Sequence, residues 1–213
     1  GDLHYTLQLS HAESDTEYSY DEDWSYVGIA PGWEYSSFDQ YRRDRTMSSL
    51  EGRIQSDTSS GSWVVGTYLR NEKESLRRDY TYLDGPFTSD LSIETAALFG
   101  QFTADLTQTF SAYVGARLEY RGSDYNDINN VDERFSDTLW SGRAGLEWTP
   151  NARNDVYLSV SRGVRGGGVN ANLLASINAL PDDVGNDFTS LGVFDAESLI
   201  NTELGWRWKN AEG

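Results

Sequence analysis

The 213-residue chain has no cysteine, two histidines and half as many basic as acidic residues. The missing cysteines exclude a disulfide framework and a thiolate metal site. His4 and His11 have neither a nucleophile nor metal-ligand spacing around them, so catalysis has no residues to carry it and no metal or cofactor is expected. Seventeen Lys and Arg against 34 Asp and Glu give a net charge of −17, which excludes nucleic acid as a partner because its phosphates would be repelled. No apolar run approaches the ~20 residues of a membrane-spanning helix. That absence leaves strands open, because a strand in lipid is half polar by construction.

What the chain does have is alternation. Phe110-Ser-Ala-Tyr-Val-Gly-Ala-Arg-Leu-Glu-Tyr120 puts Phe110, Ala112, Val114, Ala116, Leu118 and Tyr120 on one face and Tyr113, Gly115, Arg117 and Glu119 on the other. A membrane strand takes about 9–11 residues, and this stretch has an aromatic ring at each end. Seven other stretches repeat the pattern, at about 2–20, 41–56, 63–82, 92–106, 135–149, 155–165 and 197–209. Connections after the second, fourth and sixth are short. Those after the first, third, fifth and seventh are longer, at about 21–40, 83–91, 121–134 and 166–196. Short turns on one side and long loops on the other are the organisation of an outer-membrane barrel. A short helical turn is expected only in Ala171–Ala179.

The fold class is therefore all-β, an antiparallel transmembrane β-barrel segment of about eight strands. Thirteen Tyr, seven Trp and eight Phe suit the two interfacial belts of such a wall in outer-membrane lipid. The strand directions place Trp63, Phe110, Trp148 and Trp208 near the periplasmic rim and Tyr120 and Trp140 near the outer rim. A soluble antiparallel sandwich shares the alternation, but long loops confined to one side are uncommon there.

Ser159-Val-Ser-Arg-Gly-Val-Arg-Gly-Gly-Gly-Val-Asn170, followed by Glu197-Ser-Leu-Ile-Asn-Thr-Glu-Leu-Gly-Trp-Arg207, resembles the late barrel of TonB-dependent outer-membrane receptors. Ala97-Leu-Phe-Gly-Gln-Phe102 leading to Gly115-Ala-Arg-Leu-Glu119 is similar to the same family, as is Trp63-Val-Val-Gly-Thr-Tyr68 after Glu51-Gly-Arg-Ile-Gln-Ser56. The ordered set covers almost the whole chain. The resemblance implies the outer membrane of a Gram-negative bacterium and import of a ferric siderophore or similar scarce nutrient with energy delivered by the TonB complex. Such barrels have about 22 strands around an N-terminal plug. Residues 1–213 would then be a partial barrel domain lacking plug and C-terminal closing strand, an open curved sheet with 1–20 and 197–209 as its edges. A porin-like pore, a small structural barrel and a soluble β-protein stay as alternatives.

For a small-molecule iron chelate, Trp24, Trp33 and Tyr35 in the first long loop offer rings to an apolar or aromatic part. Arg77 and Arg165 near the outer strand ends offer positive charge against an acidic surface. Arg78 shares that position, with Asp79, Glu74 and Asp90 near enough in sequence to pair with these cations instead. Asp124–Glu133 supplies carboxylates without the glycine and bidentate glutamate of a calcium loop, and Asp182, Asp183 and Asp187 form a second acidic group; both read as solvated loops. Gly166, Gly167 and Gly168 are expected to permit special backbone angles. Gly115 and Gly205 are expected to leave room inside the barrel.

Overall fold

The computed structural model describes residues 2–23, 26–32, 34, 36–171, 173 and 191–209. Alternation becomes one antiparallel eight-stranded sheet. Its strands are β1 (Leu3–Asp21), β2 (Phe38–Thr58), β3 (Gly61–Tyr80), β4 (Phe87–Asp105), β5 (Phe110–Asp127), β6 (Asp132–Asn151), β7 (Asn154–Arg165) and β10 (Glu197–Trp208). Between β7 and β10, β8 (Gly168–Val169) pairs with β9 (Val193–Phe194) as a separate small ribbon. The long strands lie side by side in chain order, with β1 and β10 as the two edges, so the sheet is open. Phe102 faces Val114 and Ala104 faces Ala112, the register in which both strands keep their apolar sets on one face.

Several strands run farther than their apolar segments. β4 begins at Phe87, β5 ends at Asp127 and β6 begins at Asp132, so the expected loops 83–91 and 121–134 contract to tight connections at 81–86 and 128–131. The reason is that charge alternates as faithfully as hydrophobicity. Beyond Leu69, Lys73, Ser75 and Arg77 continue one face of β3 while Arg70, Glu72 and Glu74 continue the other, and cross-strand pairs such as Arg43–Glu74 at 3.3 Å replace apolar contact. Asp127 closes the 128–131 turn by accepting hydrogen bonds from the amides of Asn129 at 2.8 Å and Val131 at 3.3 Å. Long connections remain at 22–37 and 166–196.

The sheet has almost no interior of its own. Ile93, Ala97, Val131 and Leu139 are the buried apolar residues among those described, whereas Leu7, Leu9 and Leu204 are each more than 70% exposed. The chain shows 14657 Å² to its surroundings, against roughly 10,000 Å² for a compact soluble protein of this mass. A wall with apolar residues turned outward suits lipid on that side.

On the opposite, concave face, aromatic rings lie across glycines of the adjacent strand. Phe99 covers its partner Gly66, Tyr113 covers Gly145 and Tyr157 covers Gly205. A Cβ on Gly145 would stand 2.5 Å from the Tyr113 ring. The space at Gly205 is thus filled by a neighbouring strand's ring.

Candidate functional site

Register decides which charged groups share the concave face. Ten of the seventeen basic residues take inward positions, among them Arg117, Arg121, Arg143 and Arg165 on β5, β6 and β7. Several lie against rings: Arg117 is 5.3 Å from the centroid of Tyr68 and Arg143 is 5.8 Å from that of Tyr113. The acidic excess is therefore carried mainly by the outward face and loops.

A hollow of about 570 Å³ opens on this face between Arg117, Arg121, Leu139, Arg165, Gly166 and Phe194. Arg117 is bound to Glu119, its Nε and Nη2 donating to Oε2 at 2.9 and 2.6 Å. Arg121 spends one donor on the Gly167 carbonyl at 3.2 Å, and the Gly167 amide donates to Asp137 at 2.8 Å. These contacts strap the chain leaving β7 onto β5 and β6. Arg121 and Arg165 form no ion pair among the described residues. The hollow thus presents uncommitted guanidinium donors, suited to a carboxylate, phenolate or hydroxamate oxygen.

The glycines bordering this hollow serve space rather than unusual angles, because none of Gly166, Gly167 and Gly168 has a positive φ. A Cβ on Gly166 would meet Arg121 Nη1 at 2.6 Å, and the Phe194 ring occupies the place of one on Gly168. Gly115 likewise meets the neighbouring strand, with Gly100 O 3.3 Å from its notional Cβ.

A second cluster sits at the outer end of β1–β3. Asp39 is wholly buried and accepts Arg78 Nε at 2.9 Å, Arg78 Nη2 at 2.6 Å and the Tyr20 hydroxyl at 2.9 Å. The Arg78 hydrogen bonds hold its carboxyl below the usual carboxylate range, and the same contact raises Arg78 above the ordinary arginine value. Tyr20 is pushed up, chiefly because its proton is engaged by Asp39. Tyr18 stacks on Tyr41 at 4.8 Å, with Arg78 5.1 Å from the Tyr41 centroid and 4.8 Å from that of Tyr80. Tyr80 donates to Glu22 at 3.0 Å and the Ser37 amide to Asp23 at 2.8 Å, anchoring both ends of the 22–37 loop.

The sequence-predicted residues divide accordingly. Arg165 lines the hollow. Arg77 falls on the outward face and donates twice to Asp79, at 2.9 and 2.8 Å, so it does not share a surface with Arg165. Trp24, Trp33 and Tyr35 lie outside the described residues, as do Asp182, Asp183, Asp187 and most of 171–179. No group of three or more acidic or histidine side chains is placed to hold a metal ion among the described residues, and Asp124 is paired with Arg134 at 2.6 Å.

Of the aromatics expected at the membrane interfaces, Tyr120, Trp140, Trp148 and Trp208 are roughly half exposed, while Trp63 and Phe110 are less so. All six take outward positions. Phe110 stands opposite Trp148, in the same cross-strand row as Trp206, with Trp208 two residues lower. Trp63 stands opposite Phe102, four residues higher in the ladder. Arg121, Asp39 and Tyr41 were not singled out from sequence. Their parity with Arg165 and Arg78 becomes visible only after the registers are fixed.

The pattern of TonB dependent receptor-like β-barrels matches residues 1–213. Among solved structures, the chain is similar to the ferric yersiniabactin uptake receptor FyuA from Yersinia pestis, with TM-score 0.69 and 21% identity over 97% of this chain and 31% of that one. It is also similar to the ferric citrate transporter FecA, with TM-score 0.68 and 14% identity over 98% and 30%. The copper transporter OprC matches with TM-score 0.66 and 14% identity over 96% and 33%. At these identities the likeness is one of fold. The chain spans about a third of the length of these structures. No curated protein matches the sequence.

Proposed function

We propose, from the premise that the chain belongs to the TonB-dependent receptor-like β-barrel family, that it forms part of the wall of a receptor importing an anionic ferric siderophore. Receptors of this family are outer-membrane transporters of Gram-negative bacteria, not enzymes. In this reading residues 1–213 are one arc of a larger barrel, closed by strands paired to β1 and β10, and the TonB complex engages a part of the receptor outside this arc. The convex apolar face meets outer-membrane lipid. The concave face meets the cargo, which is substrate and not a resident cofactor.

The observation that carries the reading is the hollow with Arg121 and Arg165 unpaired in a chain of net charge −17. The free guanidinium groups at this hollow give an anionic chelate local positive charge and hydrogen-bond donors on an otherwise acidic chain. The Tyr18, Tyr41, Arg78 and Tyr80 wall farther out suits a first, weaker contact with planar groups. Trp24, Trp33 and Tyr35 belong to the loop anchored beside that wall. The neighbours include a copper transporter as well as ferric-chelate receptors, so the cargo rests on this chain's own charges.

The test is direct binding and uptake of a panel of anionic and neutral ferric chelates by the intact receptor carrying Arg121→Glu with Arg165→Glu. An anionic chelate should lose about 100-fold in affinity while assembly is kept, the scale of two charge-assisted contacts. Unchanged affinity across the panel would refute the assignment of cargo to this hollow.

A further inference from the structure

A second hollow, of about 530 Å³, continues the first toward the periplasmic side of the concave face. Arg117, Ser141 and Gly163 line both, while Gln101, Gly115, Arg143 and Ser161 line the deeper one alone. Gly163 keeps the passage between them open. Gly145 and Gly205 have their space filled by a ring, but a Cβ on Gly163 would meet no atom within 4 Å, and its φ is not positive. Neither packing nor backbone angle requires a glycine there. Register then places one arginine in each of four successive inward rows. Arg143 shares the deepest with Gly115 and Ser161, and Arg117 stands in the next with Ser141. Arg165, four residues beyond Ser161 on β7, falls in the third, and Arg121 stands opposite Asp137 in the fourth. At ~3.4 Å per residue and ~4.8 Å between strands, successive arginines are about 8–12 Å apart at the backbone, and their long side chains narrow the gap.

We propose that the deeper hollow is a second station for the anionic chelate, where Arg143 takes over carboxylate or phenolate oxygens released by Arg121 and Arg165. This rests on the cargo reading above and adds a route along the wall to it. Across the four rows β4 to β7 carry two carboxylates to this face, and both are engaged, Glu119 by Arg117 and Asp137 by the Gly167 amide; Glu197 stands opposite Arg165 on β10. Arg143 forms no ion pair among the described residues. Its Nε, at 3.0 Å, and its Nη2 donate to Gln101 Oε1, a neutral acceptor. An anionic oxygen is the stronger acceptor and displaces that amide. Motion out of a tight site is fast only when another attractive site lies within reach, the condition that multi-site pores meet. The volume falls in the range of about 300–1,000 Å³ typical of small-molecule sites.

The test separates binding from transport in the intact receptor on whole cells, with ferric citrate and a ferric tris-catecholate as anionic probes. In Arg143→Gln, surface binding without an energised inner membrane should stay within about twofold, while the energised uptake rate at saturation falls about tenfold, the scale of one charge-assisted contact. Retained surface binding also shows that the variant is assembled. Arg143→Lys should keep most of the rate, because it keeps the charge. Ser161→Glu puts a carboxylate opposite Arg143 and should slow uptake as Arg143→Gln does, without altering the arginine. Unchanged uptake in Arg143→Gln and Ser161→Glu would overturn the second station. An equal loss in Arg143→Lys would overturn it too, making Arg143 a packing contact for whatever fills the barrel. The outer hollow fails by a different result, unchanged binding in Arg121→Glu with Arg165→Glu, so the two readings are told apart.

Discussion

Removing the Arg78 guanidinium should unfasten the outer third of β1, β2 and β3 while leaving the rest of the sheet intact. Asp39 is fully buried and its carboxylate takes three of its hydrogen bonds from two partners, two from Arg78 and one from Tyr20. Arg78→Ala leaves that charge in place with only tyrosine hydroxyls, Tyr20 and Tyr41, beside it. Breaking a buried pair from one side costs about 3–5 kcal/mol, and because Arg78 is itself 32% exposed the lower end applies. Amides of Tyr18–Tyr20, Asp39–Tyr41 and Arg78–Tyr80 in the assembled receptor should then exchange hydrogen about 100-fold faster, since each factor of ten is about 1.4 kcal/mol. Arg78→Lys keeps the charge without the two-pronged geometry and should fall between. Asp39→Leu combined with Arg78→Leu should recover much of the loss, because it removes both charges together. The pH dependence has a definite sign: Asp39 is depressed in the fold, so its contribution is full above the unfolded carboxylate value near 4 and disappears as pH falls through the lower folded value. Unaltered exchange in Arg78→Ala, or acceleration spread equally over β5–β7, would refute this account.

Other outcomes follow from the two faces of the wall. Gly145→Val should lower the assembled fraction, read as heat-modifiable electrophoretic mobility, by an amount equivalent to about 1–3 kcal/mol, and Tyr113→Ala should relieve it by removing the ring that occupies the space. Val114→Arg, near the middle of the outward apolar set of β5, should cost about 2–4 kcal/mol of stability in bilayers, whereas Gln8→Arg on the concave face, opposite Glu51, should be tolerated. Equal costs at both positions would contradict the assignment of faces. Trp24→Ala with Trp33→Ala should weaken chelate binding without changing assembly; unchanged affinity in a direct assay would reduce both rings to loop packing.

Parity made the sheet legible from sequence. A one-residue slip would turn Leu98, Phe102 and Ala104 inward, so the apolar pattern specified the β4–β5 register. Strand ends were less legible, because hydrophobic contrast vanishes above Leu69, Ala96 and Tyr120 while charge pairs continue the ladder. Asp39 looked like part of a loop for that reason. Its partner is 39 positions away, and nothing local in Ser36-Ser-Phe-Asp39 announces burial. Arg165 was accessible to sequence reasoning as a basic residue at a strand end, but Arg77 looked equivalent and faces the other way. The glycine-rich exit from β7 suggests backbone freedom in sequence, whereas the fold requires space there for Arg121 and Phe194. Tertiary neighbours, absent from a single sequence, decide such cases.

The aromatics expected at the interfaces carry geometric information that no single strand contains. Trp63 on β3 is opposite Phe102; Phe110 and Trp148 lie four residues lower on the shared ladder; Trp208 on β10 lies two lower again. The lower belt therefore descends across the hydrogen-bonded rows, and the step from Tyr120 to Trp140 descends in the same direction. Rings anchored at one lipid interface must lie at one depth. Six residues at ~3.4 Å across five strand spacings at ~4.8 Å then require strands inclined by about 40° to the membrane normal. That value lies within the roughly 35–45° tilt of membrane barrels, although strand geometry and aromatic positions entered independently. In the intact receptor, nitroxide labels placed separately at Trp63, Phe110 and Trp208 should report equal depth by accessibility to oxygen and a polar relaxant. Upright strands would separate the first and last by about 20 Å. A depth difference of that size would reject both the tilt and the assignment of these rings to one belt.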